Sequence, residues 1–126
     1  MQGNSGIWID HKEAFIVFAG TKEAPPAELG VDQHVKFSGH DRGHEGSDDD
    51  KHGRRRENEF VKFYDEVITH VSDAESILLF GPGEAKGELE KRLGEKGLAK
   101  RIVGVETVDT MTDKQIVAKV REHYEK

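Results

Sequence analysis

The sequence has 126 residues, of which 34% are hydrophobic and 35% charged, and its formal net charge is −6 at pH 7. The absence of cysteine excludes disulfide scaffolds, thiolate zinc sites and cysteine nucleophiles, and no apolar run approaches the roughly 18 residues that span a membrane. With no secretory signal at its start, the chain is expected to be one cytoplasmic domain over residues 1–126, and its acidity disfavours general coating of nucleic acid by charge.

The first third of the chain predicts three antiparallel strands. Residues 6–10 and 14–19 are rich in β-branched and aromatic side chains, and the short polar connection between them is typical of a hairpin. Residues 31–37 alternate between apolar and polar, with Val31, Gln33, Val35 and Phe37 on one face. This alternation indicates a third strand with one solvated face.

The middle of the chain has almost no apolar residue. It contains several glycines, three consecutive aspartates at positions 48–50 and three consecutive arginines at positions 54–56. Because such a segment cannot contribute to a core, we predict a flexible loop at about residues 39–56.

The rest of the chain predicts alternating helices and strands. An apolar stripe runs from Phe60 to Val71, residues 76–80 form a short apolar run, and Thr112 with Gln115 has the pattern of a capping box. The order βββαβαβα predicts an α/β fold with one mixed five-stranded sheet and helices packed on it. The residues expected to be most buried are Phe63, Val67, Ile77, Leu79, Ile102 and Val120.

Two stretches resemble a known family. Residues 51–58, Lys-His-Gly-Arg-Arg-Arg-Glu-Asn, are similar to the Lys-His-Gly-Arg-Gly-Gly-Gln-Ser segment in the central domain of eukaryotic and archaeal class 1 peptide release factors. Residues 63–67, residues 76–83 (Ser-Ile-Leu-Leu-Phe-Gly-Pro-Gly) and Lys86 resemble a helix–strand–turn–helix passage of that domain in release factors and in Pelota. The resemblance implies a ribonuclease H-like fold, a stand-alone, bacterial-type relative of this domain, and association with the ribosome or tRNA.

The sequence departs from the family at its functional motif. In release factors, a Gly-Gly-Gln loop positions water for the hydrolysis of peptidyl-tRNA, whereas Arg55, Arg56 and Glu57 stand at those positions here. Bulky residues cannot cheaply copy a glycine backbone. The resemblance therefore implies a translation-associated module that does not catalyse this hydrolysis. We expect no cofactor and, since no apolar run is long enough to span a membrane, no membrane partner.

Three functional hypotheses follow. A binding module would contact RNA phosphates through a basic group, which consists of Lys51, His52, Arg54, Arg55 and Arg56. A divergent hydrolase of esters or phosphodiesters would use His52 and Glu57 as acid and base. The third hypothesis is a self-associating domain without a nucleic-acid role, such as a homodimer. Trp8 is expected to pack on one sheet face, or to form a dimer contact if that face is exposed.

Other polar motifs have both a structural and a functional interpretation. His40 and His44 are four residues apart and are a weak alternative for a metal site, although a solvated loop without metal is the preferred interpretation. Asp10 is interpreted as a hairpin residue rather than a nuclease metal ligand. The residues Gly81, Pro82 and Gly83 are interpreted as a tight turn rather than a phosphate-binding loop.

Overall fold

The computed structural model describes residues 3–21, 28–37 and 49–125, and for residues 49–57 it describes the helical backbone without the side chains. Within these residues the strands are β1 (Gly3–Ile9), β2 (Glu13–Gly20), β3 (Gln33–Lys36), β4 (Ala74–Gly81) and β5 (Ile102–Thr107). The helices are α1 (Asp49–Val71), α2 (Ala85–Glu95) and α3 (Asp113–Glu125), with a short 3-10 turn at Ala99–Arg101. The predicted order βββαβαβα is confirmed.

The five strands form one mixed sheet in the order β3-β2-β1-β4-β5. Strand β2 pairs antiparallel with β1 and β3, while β4 pairs parallel with β1 and β5. The antiparallel hairpin and the parallel pairing across a helical crossover are what the sequence predicts. The α/β fold of ribonuclease H-like type is therefore confirmed.

Side chains of the central strands alternate between two buried clusters, one on each face of the sheet. On one face, Ile7 and Leu79 pack with α1 and α2. On the other face, Trp8 and Leu78 pack with α3. Because Trp8 is only 1% exposed, its expected packing on one sheet face is confirmed, and the condition for a dimer contact through this side chain, an exposed face, is not met.

Five of the six predicted core residues are buried: Phe63, Val67, Ile77, Leu79 and Val120. The exception is Ile102, which is only partly buried against the cluster under α1 and α2. It begins β5, which lies at the edge of the sheet and has a neighbouring strand on one side only. Its apolar pattern predicted a strand correctly but did not reveal this edge position.

Helix α1 begins earlier than the sequence predicts. The flexible loop was expected at about residues 39–56, but residues 49–56 are helical, and residues 38–48 lie outside the described residues. Aspartates at the start of a helix interact favourably with the positive end of its dipole, and arginine and glutamate are good helix formers. These local preferences favour extending the packed part of α1 toward its N-terminus, although Gly53 is a poor helix former, and the prediction relied on an apolar stripe that this extension does not have.

Strand β3 is shorter than the predicted residues 31–37. The Oδ2 atom of Asp32 accepts a hydrogen bond from the backbone N–H of Phe18 at 2.8 Å, so a side chain replaces a backbone acceptor just before the regular ladder begins. Val31 packs on the α3 side of the sheet, whereas Val35 is buried on the α1–α2 side. The single apolar face predicted for this segment is therefore not formed.

Helix α3 has the predicted capping box. The backbone N–H of Thr112 donates to Oε1 of Gln115 at 2.9 Å, and the backbone N–H of Gln115 donates to Oγ1 of Thr112 at 3.2 Å. At the other end of the helix, the hydroxyl of Tyr124 donates to the carbonyl oxygen of Ser5 on β1 at 2.8 Å. Both ends of α3 are thus held by specific hydrogen bonds.

Among the described residues, no helix has the length and apolar character that crossing a bilayer demands.

Candidate functional site at the carboxyl edge of the sheet

Strands β1, β3, β4 and β5 all run in one direction, because only β2 is antiparallel to its neighbours. Their carboxyl ends meet at one edge of the sheet, which we call the carboxyl edge. Asp10 and His11 follow β1 there, Phe37 follows β3, and residues 82–84 follow β4. In α/β proteins this is the edge at which ligands usually bind, so the candidate site is built from these residues.

The turn after β4 is held by its own residues. A Cβ atom on Gly81 would lie 2.2 Å from the carbonyl oxygen of Ile9, so only glycine permits this approach of β4 to β1. Gly83 has a φ of 65°, a conformation that also favours glycine. The Nζ atom of Lys86, whose residue is 8% exposed, donates to the carbonyl oxygen of Gly83 at 2.5 Å. The interpretation of this motif as a tight turn agrees with this geometry.

Asp10 organises the hairpin between β1 and β2. Its Oδ1 atom accepts hydrogen bonds from the backbone N–H groups of Lys12 at 2.8 Å and Glu13 at 2.9 Å. An aspartate that bonds the backbone two and three residues ahead is typical of a tight turn. Within the described residues, no group of three or more potential ligands could hold a metal ion. The interpretation of Asp10 as a hairpin residue agrees with the structure.

A polar cluster that the sequence analysis missed joins the hairpin to both helices of this face. Oε1 of Glu88 on α2 accepts a short hydrogen bond from the hydroxyl of Tyr64 on α1, and the same atom lies 3.1 Å from Nε2 of His11. Burial and the neighbouring Glu88 carboxylate raise the pKa of the Tyr64 phenol, which stays protonated and donates. The arrangement links three elements at the carboxyl edge.

Phe60 fixes helix α1 at the same edge. Its ring stacks on that of Phe37 with centroids 4.4 Å apart, and it lies 5.2 Å from the ring of His11. Stacked and tilted aromatic pairs of this kind add to the free energy of burial. Because Phe60 already lies at the carboxyl edge, we infer that the helical residues before it continue past that edge.

An ion pair between the two helices holds α1 against α2 farther along. The guanidinium of Arg92 donates to both carboxylate oxygens of Asp65, from Nε to Oδ1 at 2.7 Å and from Nη2 to Oδ2 at 3.0 Å. Nη1 of Arg92 also donates to Oε1 of Glu95 at 2.9 Å. The hydrogen bonds from Arg92 hold the pKa of the Asp65 carboxyl below its usual range. This two-point geometry orients α1 more firmly than a single contact would.

The predicted site residues divide into two groups. Lys51, His52, Arg54, Arg55, Arg56 and Glu57 all belong to the first turns of α1, where the backbone is helical. Positions 52 and 57, five residues apart, lie about 140° apart around the axis of an α-helix, an arrangement that does not favour an acid–base pair. His40 and His44 lie outside the described residues.

The residues that the sequence analysis missed are His11 and Glu88, which are 77 positions apart. His11 lay in the predicted polar connection of the hairpin, and Glu88 was not singled out. The available signal was positional: His11 lies two residues after β1, which is parallel to β4, and α2 begins just after β4. Residues at such places meet at the carboxyl edge.

Comparisons with known proteins give a clear answer for the fold. No protein-family model matches the chain, and no curated protein matches it either. Among solved structures, Pelota from Thermoplasma acidophilum superposes with a TM-score of 0.61 and 17% identity, covering 94% of this chain and 31% of that protein. An archaeal translation termination factor, aRF1, gives a TM-score of 0.61 and 16% identity, covering 98% of this chain and 34% of that protein.

A third solved structure belongs to the same class. Dom34 from S. cerevisiae, described as a translation termination-like factor that takes part in RNA quality control and interacts with Hbs1, has a TM-score of 0.52 and 11% identity. The match covers 92% of this chain and 31% of Dom34. The chain thus spans about a third of the length of these proteins and has the fold of a domain found in translation termination-like factors.

Proposed function

We propose that this chain is a translation-associated module that binds the ribosome or tRNA and catalyses no reaction. It would be a relative of the central domain of release factors and Pelota that lacks the Gly-Gly-Gln motif. The support is the fold shared with Pelota, aRF1 and Dom34, together with the similarity of residues 51–58 to a release-factor segment. The residues proposed to contact RNA are Lys51, His52, Arg54, Arg55 and Arg56.

The observation that carries the proposal is the continuity of helix α1 from Asp49 to Val71. Residues 49–59 precede Phe60 and rise about 16 Å along a helical axis. Phe60 itself is fixed at the carboxyl edge by Phe37 and His11. The basic residues therefore belong to the exposed start of a helix whose later turns pack on the sheet. Cations on such a helix can contact phosphates without the entropic cost of ordering a long loop first.

The same observation argues against hydrolysis of peptidyl-tRNA. The two glycines of the family motif provide a backbone that other residues rarely adopt. Here Arg55 and Arg56 stand at those positions, and the backbone there is helical. A helix carrying arginine and glutamate lacks the shape that the motif uses to position water, so binding without catalysis is the function that we favour.

The proposal is tested by the salt dependence of binding to tRNA or to purified ribosomes. Replacing Arg54, Arg55 and Arg56 with alanine should weaken binding and lower the slope of log affinity against log salt by up to about 3 units, one for each lost phosphate contact. The matched control replaces three exposed cations elsewhere, Lys91, Lys114 and Arg121, with alanine, which changes the net charge by the same amount. An equal loss of slope in both variants would mean that only the overall charge matters.

A further inference from the structure

Strand β5 is an edge of the sheet. It pairs with β4 and, among the described residues, with no second strand. The backbone N–H and C=O groups on the outer side of such a strand are not used by its own sheet, which makes an edge a template for another strand. The opposite edge, β3, has only four residues and includes His34 and Lys36, whereas residues 102–105 of β5 are Ile-Val-Gly-Val.

The exposed side of β5 consists of β-branched residues. Val103 is 47% exposed and Val105 is 38% exposed, and Thr107 is exposed as well. In the described part of the chain, the one other exposed large hydrophobic residue is Val61 on α1, at 36%. Val105 pairs with Leu79, which is fully buried on the same sheet, so the exposure of Val105 comes from its place at the edge. A row of such residues is typical of a strand that packs beside another strand.

The charges at the two ends of β5 are complementary when two copies of the strand pair antiparallel. Lys100 is exposed two residues before the strand and Asp109 is exposed two residues past its other end. Arg101 and Glu106 contribute less, because Arg101 donates to the carbonyl oxygens of Ser72 and Ala74 and Glu106 pairs with Lys119 at 2.6 Å. In an antiparallel pair of two β5 strands, the basic end of each strand lies beside the acidic end of the other. Opposite charges that meet in this way favour association, whereas a parallel arrangement would oppose like charges.

We propose that β5 binds β5 of a second copy of this chain in an antiparallel pair, so that the two sheets become continuous. With Gly104 of each copy at the two-fold axis, Val103 lies opposite Val105 of the second copy. Cross-strand valine pairs of this kind are a normal source of sheet stability. One short strand buries less area than a standard interface of about 1,600 Å², so we expect a reversible dimer. The proposal does not rest on binding to the ribosome.

The first test is sedimentation velocity over a range of protein concentrations. The parent protein should show a sedimentation coefficient that rises with concentration, and Val103→Lys should raise the dissociation constant of the dimer at least about 10-fold, because lysine on an edge strand opposes pairing. Val61→Lys is the matched control, since it adds the same charge at the remaining exposed valine. A monomer at every concentration of the parent, or an equal loss in both variants, would overturn the proposal.

The second test reports the register of the β5 pair, and it does not require the fold to tolerate a lysine at position 103. Because the chain contains no cysteine, a Val103→Cys, Val105→Cys double variant provides thiols only at the proposed interface. Residues directly opposite in an antiparallel pair have Cα atoms about 4.5 to 5.5 Å apart, within reach of a disulfide. Oxidation should give a covalent dimer on a non-reducing gel, and Val61→Cys should not. Failure of the double variant to cross-link would show that β5 is not the contact.

Discussion

A Cβ atom placed on Gly6 of β1 would lie 2.4 Å from Cγ2 of Val120 on α3. Helix α3 therefore packs directly on the backbone of the central strand, and the missing side chain of Gly6 is what allows this approach. Valine is stiff at χ1, so Val120 cannot turn away at little cost. Its neighbours Trp8 and Phe80 are also buried on this face, and they leave little room for the helix to shift.

Replacing Gly6 with alanine should therefore lower the free energy of unfolding by about 1 to 3 kcal/mol, the usual cost of overpacking a core. A Gly6→Ala, Val120→Ala double variant should lose less than the sum of the two single variants, because the second change removes the clash. Urea denaturation of the four proteins measures this coupling. Strict additivity would mean that the contact between the two residues is not close.

The core of the α1–α2 face depends on Leu79, which is fully buried on β4. Leu79→Ala should cost about 2 to 5 kcal/mol, a large share of the stability of a small domain. Val61→Ala, at an exposed valine of α1, is the control and should change stability by no more than about 0.5 kcal/mol. A loss below about 1 kcal/mol for Leu79→Ala would contradict its place in the centre of the core.

The pairing of Asp65 with Arg92 should make stability depend on pH. Hydrogen bonds from Arg92 lower the pKa of Asp65 in the folded protein, so this contribution is fully present above the unfolded pKa of about 3.9. It is lost as the pH falls through the lower folded value. The difference in unfolding free energy between the parent and Asp65→Asn should thus be constant at neutral pH and shrink below about pH 4. A difference that does not change with pH would contradict the ion pair.

Restoring one residue of the release-factor motif should not restore catalysis. The variant Glu57→Gln contains the glutamine of the family motif, but Arg55 and Arg56 still occupy the glycine positions in a helical backbone. We expect no release of peptide from peptidyl-tRNA on ribosomes above the rate without protein. The measurement is a single-turnover release assay, with an active release factor as the positive control. Release by Glu57→Gln alone would mean that the helical backbone does not prevent the reaction.

Much of this fold can be predicted from hydrophobic periodicity. The apolar run around Leu79 identifies the buried central strand, and the stripe from Phe60 to Val71 identifies the packed part of α1, because both patterns directly reflect burial. The start of α1 cannot be found in this way, since residues 49–57 contain no apolar stripe and only continue the helix that begins to pack at Phe60.

The candidate site was less predictable than the fold. The contact of His11 with Glu88 joins residues 77 positions apart, and it exists only because β1 and β4 are neighbours in the sheet. The shortening of β3 depends on one hydrogen bond from Phe18 to Asp32, which competes with the strand that alternation predicts. Such contacts follow from topology and local geometry rather than from the residue pattern.

We propose that the arginines at the start of α1 bind the translation apparatus. The most direct measurement is the fraction of tagged protein that sediments with ribosomes from a cell lysate at low salt, compared between the parent, the Arg54, Arg55 and Arg56 to alanine variant, and the Lys91, Lys114 and Arg121 to alanine control. We predict that the parent and the control sediment with ribosomes and that the arginine variant stays in the supernatant while remaining folded. Equal sedimentation of all three proteins, or a parent that never sediments with ribosomes, would contradict binding through these arginines.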